Sequence, residues 1–171
     1  VAKSVMGKGW HRLLLFCVLM SGNQALAYCW EETARRYDIE PELLQAIAAV
    51  ESGHRAEVMN YDNRNGTRDI GLMQINSVHL PRLFKQGITE ERLLSEPCLS
   101  VEVGASILAG FIQRFGYNWK AVGSYKVGPG AGPEREALRM RYAEKGSISF
   151  FVFGLVRACR QAGRCFTSSV W

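Results

Sequence analysis

Long apolar runs are scarce in this sequence. Leu13–Met20 and Ile148–Val156 are both too short to span a bilayer, which takes about 20 apolar residues. Metal-ligand patterns are absent too. His54 and His79 do not fall in a His-Glu-x-x-His arrangement, so we expect surface residues there rather than ligands. The cysteine spacings are not those of a zinc site. There is no Gly-x-Ser-x-Gly elbow and no phosphate-binding loop. Gly128-Pro129-Gly130-Ala131-Gly132-Pro133 is rich in glycine, but its prolines and its lack of a following Lys-Ser/Thr mark a turn. Without a long alternating strand pattern, an all-β domain is ruled out. The sequence carries no internal repeat, low-complexity tract or Pro/Ser-rich linker, which leaves a single domain of ordinary size. Nor is there a Lys/Arg cluster interleaved with aromatics, and that argues against nucleic acid as a partner.

The opening residues have a recognisable layout. Lys3, Lys8 and Arg12 are basic, Leu13–Met20 is a short apolar core, and Ala25-Leu26-Ala27 is a small-x-small cleavage site. We read residues 1–27 as a secretory signal peptide, with export to the periplasm. An N-terminal anchor is the alternative, and the apolar run is short for it. The signal accounts for much of the basic balance. The chain has 21 Lys+Arg and 16 Asp+Glu, a net of +5. Removing three basic residues leaves 18 − 16 = +2, a mild balance that suits an acidic polymer. Cys17 falls in the signal, leaving Cys29, Cys98, Cys159 and Cys165. Four cysteines allow three pairings. In an oxidising compartment we favour Cys29–Cys98, which ties the start of the domain to its middle. The alternative is that some or all remain thiols.

The periodicity reads as mainly α, with at most a small β-hairpin around Asn60–Thr67, where Asn65-Gly66 signals a turn. A first helix is expected over Tyr28–Tyr37. Pro41 suits the first position of a second, which Gly53 ends. Pro97-Cys98-Leu99-Ser100 leads into a third, with Ser100 as its cap and Leu99, Val103, Ile107, Leu108, Phe111 and Phe115 as its apolar stripe. Asn118 caps a helix carrying Trp119, Val122 and Tyr125, and Pro133 opens a last amphipathic piece through Leu138 and Tyr142.

Glu51 stands out on that frame. It follows Ile47 by four residues and Leu44 by seven, so it shares their inward face. Partial desolvation disfavours its charged form, as does the helix C-terminus beside it. Both raise its pKa, which is what a general acid near neutral pH requires. The plainer alternative is an ordinary glutamate paired with Arg55.

Three motifs follow in order: Glu51-Ser52, then Gly71-Leu72-Met73-Gln74-Ile75, then Tyr125-Lys126-Val127-Gly128. With Cys29-Trp30, Pro97-Cys98 and Asn118-Trp119-Lys120-Ala121-Val122, they make the chain resemble the lytic transglycosylase family with the lysozyme-like fold. The closest likeness is to the small members that accompany type III and type IV secretion, conjugation and pilus systems. The resemblance covers about Cys29 to Ala143. It implies a lysozyme-like helical domain over 28–145 and leaves 146–171 as a divergent tail. It implies Glu51 as the sole acid/base, peptidoglycan strands as substrate, 1,6-anhydromuramyl product ends and no cofactor. Gly71, Leu72, Met73 and Gln74 would line the sugar groove, although core packing serves equally well for Leu72 and Ile75. Tyr125 would lie beside the glutamate and orient it, or be a buried aromatic with its hydroxyl satisfied. Ser52 would touch substrate, or be a polar residue at a helix end.

This chain departs from the pattern at Lys126, where the family usually has Asn. A cation there changes the groove's polarity or pairs with an acidic neighbour. The tail departs as well, and packing on the domain is our default for it, ahead of a partner contact or a membrane surface. Two other functions stay open. One is a lysozyme-type hydrolase with Asp62 or Asp69 activating water, and the other is a non-catalytic wall-binding assembly factor.

Overall fold

The computed structural model describes residues 29–162. The expected signal peptide, Cys17 and Cys165 lie outside the described residues, as does the side chain of Cys159. The fold is mainly α and lysozyme-like. Helix α1 covers 29–37 and closes where the Ile39 amide donates to Ala34 O. Helix α2 is Pro41–Ser52. Its proline sits where no intrahelical N–H is needed. Gly53 ends it at φ 61°, its amide donating to the Ala48 and Ala49 carbonyls, a left-handed cap that glycine adopts without steric cost. Leu43, Leu44, Ala46, Ile47 and Ala48 are buried. Each large aliphatic among them contributes about 2 kcal/mol by leaving water.

Three two-residue strands follow: β1 Met59–Asn60, β2 Asp69–Ile70 and β3 Ile75–Asn76, antiparallel in the order β1-β2-β3. The expected hairpin therefore gains a third strand. Its register bears on function. Asn60 pairs with Asp69, and Asp69 with Asn76, so the three polar side chains line up on one face. Met59, Ile70 and Ile75 fall on the other face and pack into or against the core. Gly66 turns the connection at φ 72°.

A 3-10 turn, Ser77–His79, leads to α3 Leu80–Phe84 and α4 Glu90–Ser95, capped by Thr89. Helix α5 is Pro97–Phe115. It is long and apolar enough to cross a membrane by composition, but Val101, Val103, Gly104, Ala105 and Leu108 are buried inside the domain. Ser100 is not its cap. Pro97 takes the first helical position, and Ser100 is buried within the helix, accepting the Met73 amide at 3.1 Å. The expected stripe also shifts. Val101 and Ala105 join the core, because a central helix has neighbours on more than one side, and Ile107 and Phe111 face a cleft. The Cys29–Cys98 disulfide ties α1 to the start of α5.

Helix α6, Trp119–Val127, is capped by Asn118 Oδ1 accepting the Ala121 amide at 3.1 Å. Helix α7, Pro133–Ala162, continues without a break past residue 145. It packs on α2 and α6. Its inward face differs from the expected one by a residue. Leu138 is exposed, while Arg139, Tyr142, Ala143 and Gly146 are buried. Arg139 tolerates burial because its guanidinium donates to the carbonyls of Gly128 and Gly130 and pairs with Glu136, leaving no unpaired charge. Those bonds also hold the Gly-rich turn. In the tail, Phe150 packs against the core and meets Trp119, and Phe153 meets the His54 ring edge-on.

Candidate active site

The last turn of α2, the polar face of the sheet and the end of α6 meet around a cleft of about 360 Å³. Glu51 lies at its inner wall with a side chain only 4% exposed. Both carboxylate oxygens have donors. The Tyr142 hydroxyl on α7 donates to Oε1 at 2.8 Å, and Lys126 Nζ on α6 approaches Oε2 at 3.2 Å. Burial pushes the Glu51 carboxyl up, while the Lys126 charge and the Tyr142 bond pull it down and Asp69 adds to the rise. The net direction is up. Arg55 does not pair with Glu51; its Nε donates to Ser52 O.

Asp69 stands across the cleft. Its Oδ1 accepts from Asn76 Nδ2 at 2.7 Å. Its Oδ2 takes Lys126 Nζ at 3.4 Å and Asn60 Nδ2 at 3.5 Å. The strand register dictates this, since it sets an amide on each side of the carboxylate. Lys126 therefore bridges two almost fully buried carboxylates. Burial works against its charge, but the two anions outweigh that and hold its pKa up. Tyr125 and Tyr142 are raised well above the usual phenol value, by burial first and by Glu51 next. Both are therefore neutral donors.

The other walls are of two kinds. Asn63, Asn65, Gln74 and Asn76 line the cleft with amide groups, the N–H groups of the last two being already bonded within the protein, and Ile75, Val78, Ile107 and Phe111 supply apolar surface. Among the described residues, the buried Nδ2 of Asn63 meets no acceptor. Such a cleft offers hydrogen bonds to hydroxyl and acetamido groups and flat contact to sugar rings.

The residues expected at the site divide into two groups. Glu51, Gln74 and Tyr125 line the cleft with Lys126. Ser52, Gly71, Leu72 and Met73 stand behind its wall. The Ser52 hydroxyl is buried and donates to Leu72 O at 2.7 Å, so its proton ties the helix end to the motif. Leu72 and Met73 are core residues, with Met73 filling the space that Gly104 leaves open. Gly71, at φ 72°, lies so close to the Leu93 carbonyl that a Cβ would come within 2.4 Å of it. Its close backbone approach is to α4, not to the cleft. Gln74 adopts φ 48° and donates through Nε2 to Val58 O and Gly71 O, locking the turn. Tyr125 does not orient Glu51. Its hydroxyl donates to Met73 O at 2.8 Å, and the glutamate's aromatic partner is Tyr142. The sequence reading missed that role because Tyr142 lies 91 residues from Glu51. The available signal was the inward Arg139/Tyr142/Ala143/Gly146 spacing, which Leu138 masked.

The fold and site define a mainly helical, lysozyme-like domain with a buried acid at the end of its second helix and a cleft in front of it. The comparisons with known proteins narrow it. The transglycosylase SLT domain family matches residues 28–148. The chain is 49% identical to invasion protein IagB of Salmonella typhimurium over 127 residues, 74% of this chain and 78% of the relative. It is 44% identical to protein IpgF of Shigella flexneri over 118 residues, 69% and 76% of the two chains. A peptidoglycan-binding-like protein of Escherichia coli O157:H7 is 37% identical over 127 residues, 71% of this chain and 75% of that one. This protein belongs to the transglycosylase SLT domain family.

Proposed function

We propose that the protein is a periplasmic lytic transglycosylase that cleaves the bond between N-acetylmuramic acid and N-acetylglucosamine in peptidoglycan. The observation that carries this reading is Glu51, a desolvated carboxyl with a raised pKa facing a cleft of sugar-compatible chemistry. In the first step the Glu51 proton passes to the glycosidic oxygen as its bond to muramic C1 breaks. In the second, the muramic C6 hydroxyl oxygen bonds to C1 and its proton returns to Glu51. The products are a 1,6-anhydromuramyl end and a free N-acetylglucosamine 4-hydroxyl. No water is consumed, and Glu51 ends as it began.

A lysozyme-type hydrolase has less support. Activating water would need a second carboxylate with a free oxygen. Asp69 has both oxygens engaged by Asn76, Asn60 and Lys126, and Asp62 is exposed. Gln74, Tyr125 and the asparagine amides are the groove contacts we assign to the strand. Gly71, Leu72, Met73 and Ser52 support them from behind. The domain over 28–145 carries the chemistry, with 146–171 appended. Export rests on the signal-like 1–27 and on the disulfide. Likeness to a chain named an invasion protein supports local wall opening for a secretion, conjugation or pilus apparatus.

The test is mass spectrometry of purified peptidoglycan digested with the protein. Anhydromuramyl ends are expected, and they vanish with Glu51→Gln while binding to the wall persists. Reducing ends without anhydro sugars would establish hydrolysis instead. Glycan release unchanged in Glu51→Gln would remove the acid/base assignment.

A further inference from the structure

Glu51 has a donor on each oxygen, and this poses a chemical problem. A carboxyl about to act as an acid carries one O–H, which needs an acceptor. Tyr142 faces Oε1 and Lys126 faces Oε2, and an ammonium has no lone pair to accept with. The resting arrangement therefore fits the carboxylate and opposes the acid form. Each oxygen keeps a second lone pair for a proton, but the ammonium's charge beside Oε2 opposes one there, so the acid form is favoured when Lys126 draws away.

The two donors differ in freedom. Tyr142 is buried, with its ring in the core cluster. Lys126 is half-exposed on a flexible stem, and its Nζ is already 3.4 Å from Asp69 Oδ2. Asp69 is fixed by the Asn76 and Asn60 amides, so a lysine leaving Glu51 keeps a partner. The charges agree. Two carboxylates and one ammonium sum to −1, and one proton on Glu51 makes the trio neutral.

Accepting the lytic reading above, we propose that Lys126 is a positioning residue that holds Glu51 as the carboxylate in the empty cleft and transfers to Asp69 when a glycan enters. Glu51 then takes a proton from solvent and presents it to the bound oxygen. Lys126 remains an ammonium throughout. After cleavage it stabilises the carboxylate that accepts the C6 hydroxyl proton. Among the described residues, the groups facing Glu51 are Lys126 and Tyr125 from α6, Tyr142 from α7 and Asp69 from β2. With both tyrosines neutral, Lys126 and Asp69 are the charges that set its protonation.

The experiment compares wild type, Lys126→Met, Lys126→Arg, Asp69→Asn and the Lys126→Met/Asp69→Asn double variant. Two quantities are measured. One is the pH dependence of kcat/KM for release of anhydromuramyl ends. The other is the titration of the Glu51 side-chain carboxyl by carbon-13 NMR, assigned with Glu51→Gln. Activity requiring a protonated Glu51 falls on the alkaline side. Lys126→Met moves that limb and the NMR midpoint up by about one pH unit, the usual effect of losing an opposite charge at this range. Lys126→Arg leaves both close to wild type. Asp69→Asn moves them down, because Glu51 loses a like charge nearby and Lys126 loses its second partner. In the double variant the effect of Asp69→Asn shrinks to its direct part, since there is no cation to redirect. An unmoved midpoint in Lys126→Met overturns the proposal. Strictly additive shifts in the double variant also overturn it, by showing that no part of the Asp69 effect passes through Lys126. Failure of the lytic reading is separable. In that case wild type makes no anhydromuramyl ends at any pH, whatever the NMR midpoints do.

Discussion

Tyr142→Phe removes one oxygen and keeps the ring, so the packing of α7 on α2 survives. What disappears is the 2.8 Å bond to Glu51 Oε1. A hydrogen bond to a charged acceptor contributes about 1.5–3 kcal/mol, and one pKa unit corresponds to about 1.4 kcal/mol. The bond favours the ionised form, so its loss raises the Glu51 pKa further, by about one to two units. The protonated acid then persists to higher pH, and the alkaline limb of kcat/KM moves up. At its optimum the variant is slower, by up to about 100-fold, because the carboxyl loses the contact that aims it. The assay is release of anhydromuramyl ends across the pH range for wild type and variant, with a thermal melt to verify folding. A limb that stays in place with the rate intact would reduce Tyr142 to a core aromatic and refute the assignment of Glu51's partner.

Gly123→Ala tests the close approach of α6 to α7. A Cβ there would lie 2.5 Å from the Arg139 carbonyl oxygen and 2.6 Å from its Cβ, so the helices must part, at a cost of about 1–3 kcal/mol. The thermal midpoint drops by several degrees, and an unchanged midpoint would show that the contact yields freely. Breaking the Cys29–Cys98 bridge, which closes a separation of 69 residues, lowers stability by about 4 kcal/mol in the chain-entropy model. A urea titration of the double alanine variant measures this, and an unmoved midpoint contradicts it. Glu51→Gln has a pH signature in stability. The folded-state pKa of Glu51 is raised above its ordinary 4.5, so the stability it contributes is full below that value and is lost as pH rises through the folded pKa. The variant is therefore more stable than wild type at neutral pH, and the gap closes in acid. A gap that is constant with pH would deny that burial strains the ionised form.

Local rules were enough for much of the frame. Pro41, Gly53 and Asn118 mark helix ends because φ preference, a missing N–H and a side-chain acceptor act within a few residues. The inward placement of Glu51 was legible because helical periodicity is also local. Ser100 was misread because a Ser after a Pro looks like a cap, whereas Pro97 had already taken the first helical position. The face of α7 was misread because Arg139 is buried, and only distant carbonyls make that tolerable. The motif Gly71–Met73 was visible, but not the direction it faces. Gly71 turns against Leu93, and Met73 turns into the gap at Gly104, both contacts between separate elements.

The sequence by itself determined a mainly helical domain, the elements that build it and a carboxylate at the inward end of α2. Each of these depends on neighbours within a turn or two of chain. Tertiary structure alone decided what surrounds that carboxylate: Tyr142 in place of Tyr125 on one oxygen, and Lys126 shared with Asp69 on the other. The donors to Glu51 come from α6 and α7, and the neighbouring like charge from β2. A carboxyl's protonation depends on charges and donors within a few ångströms, and those distances exist only once the chain has folded.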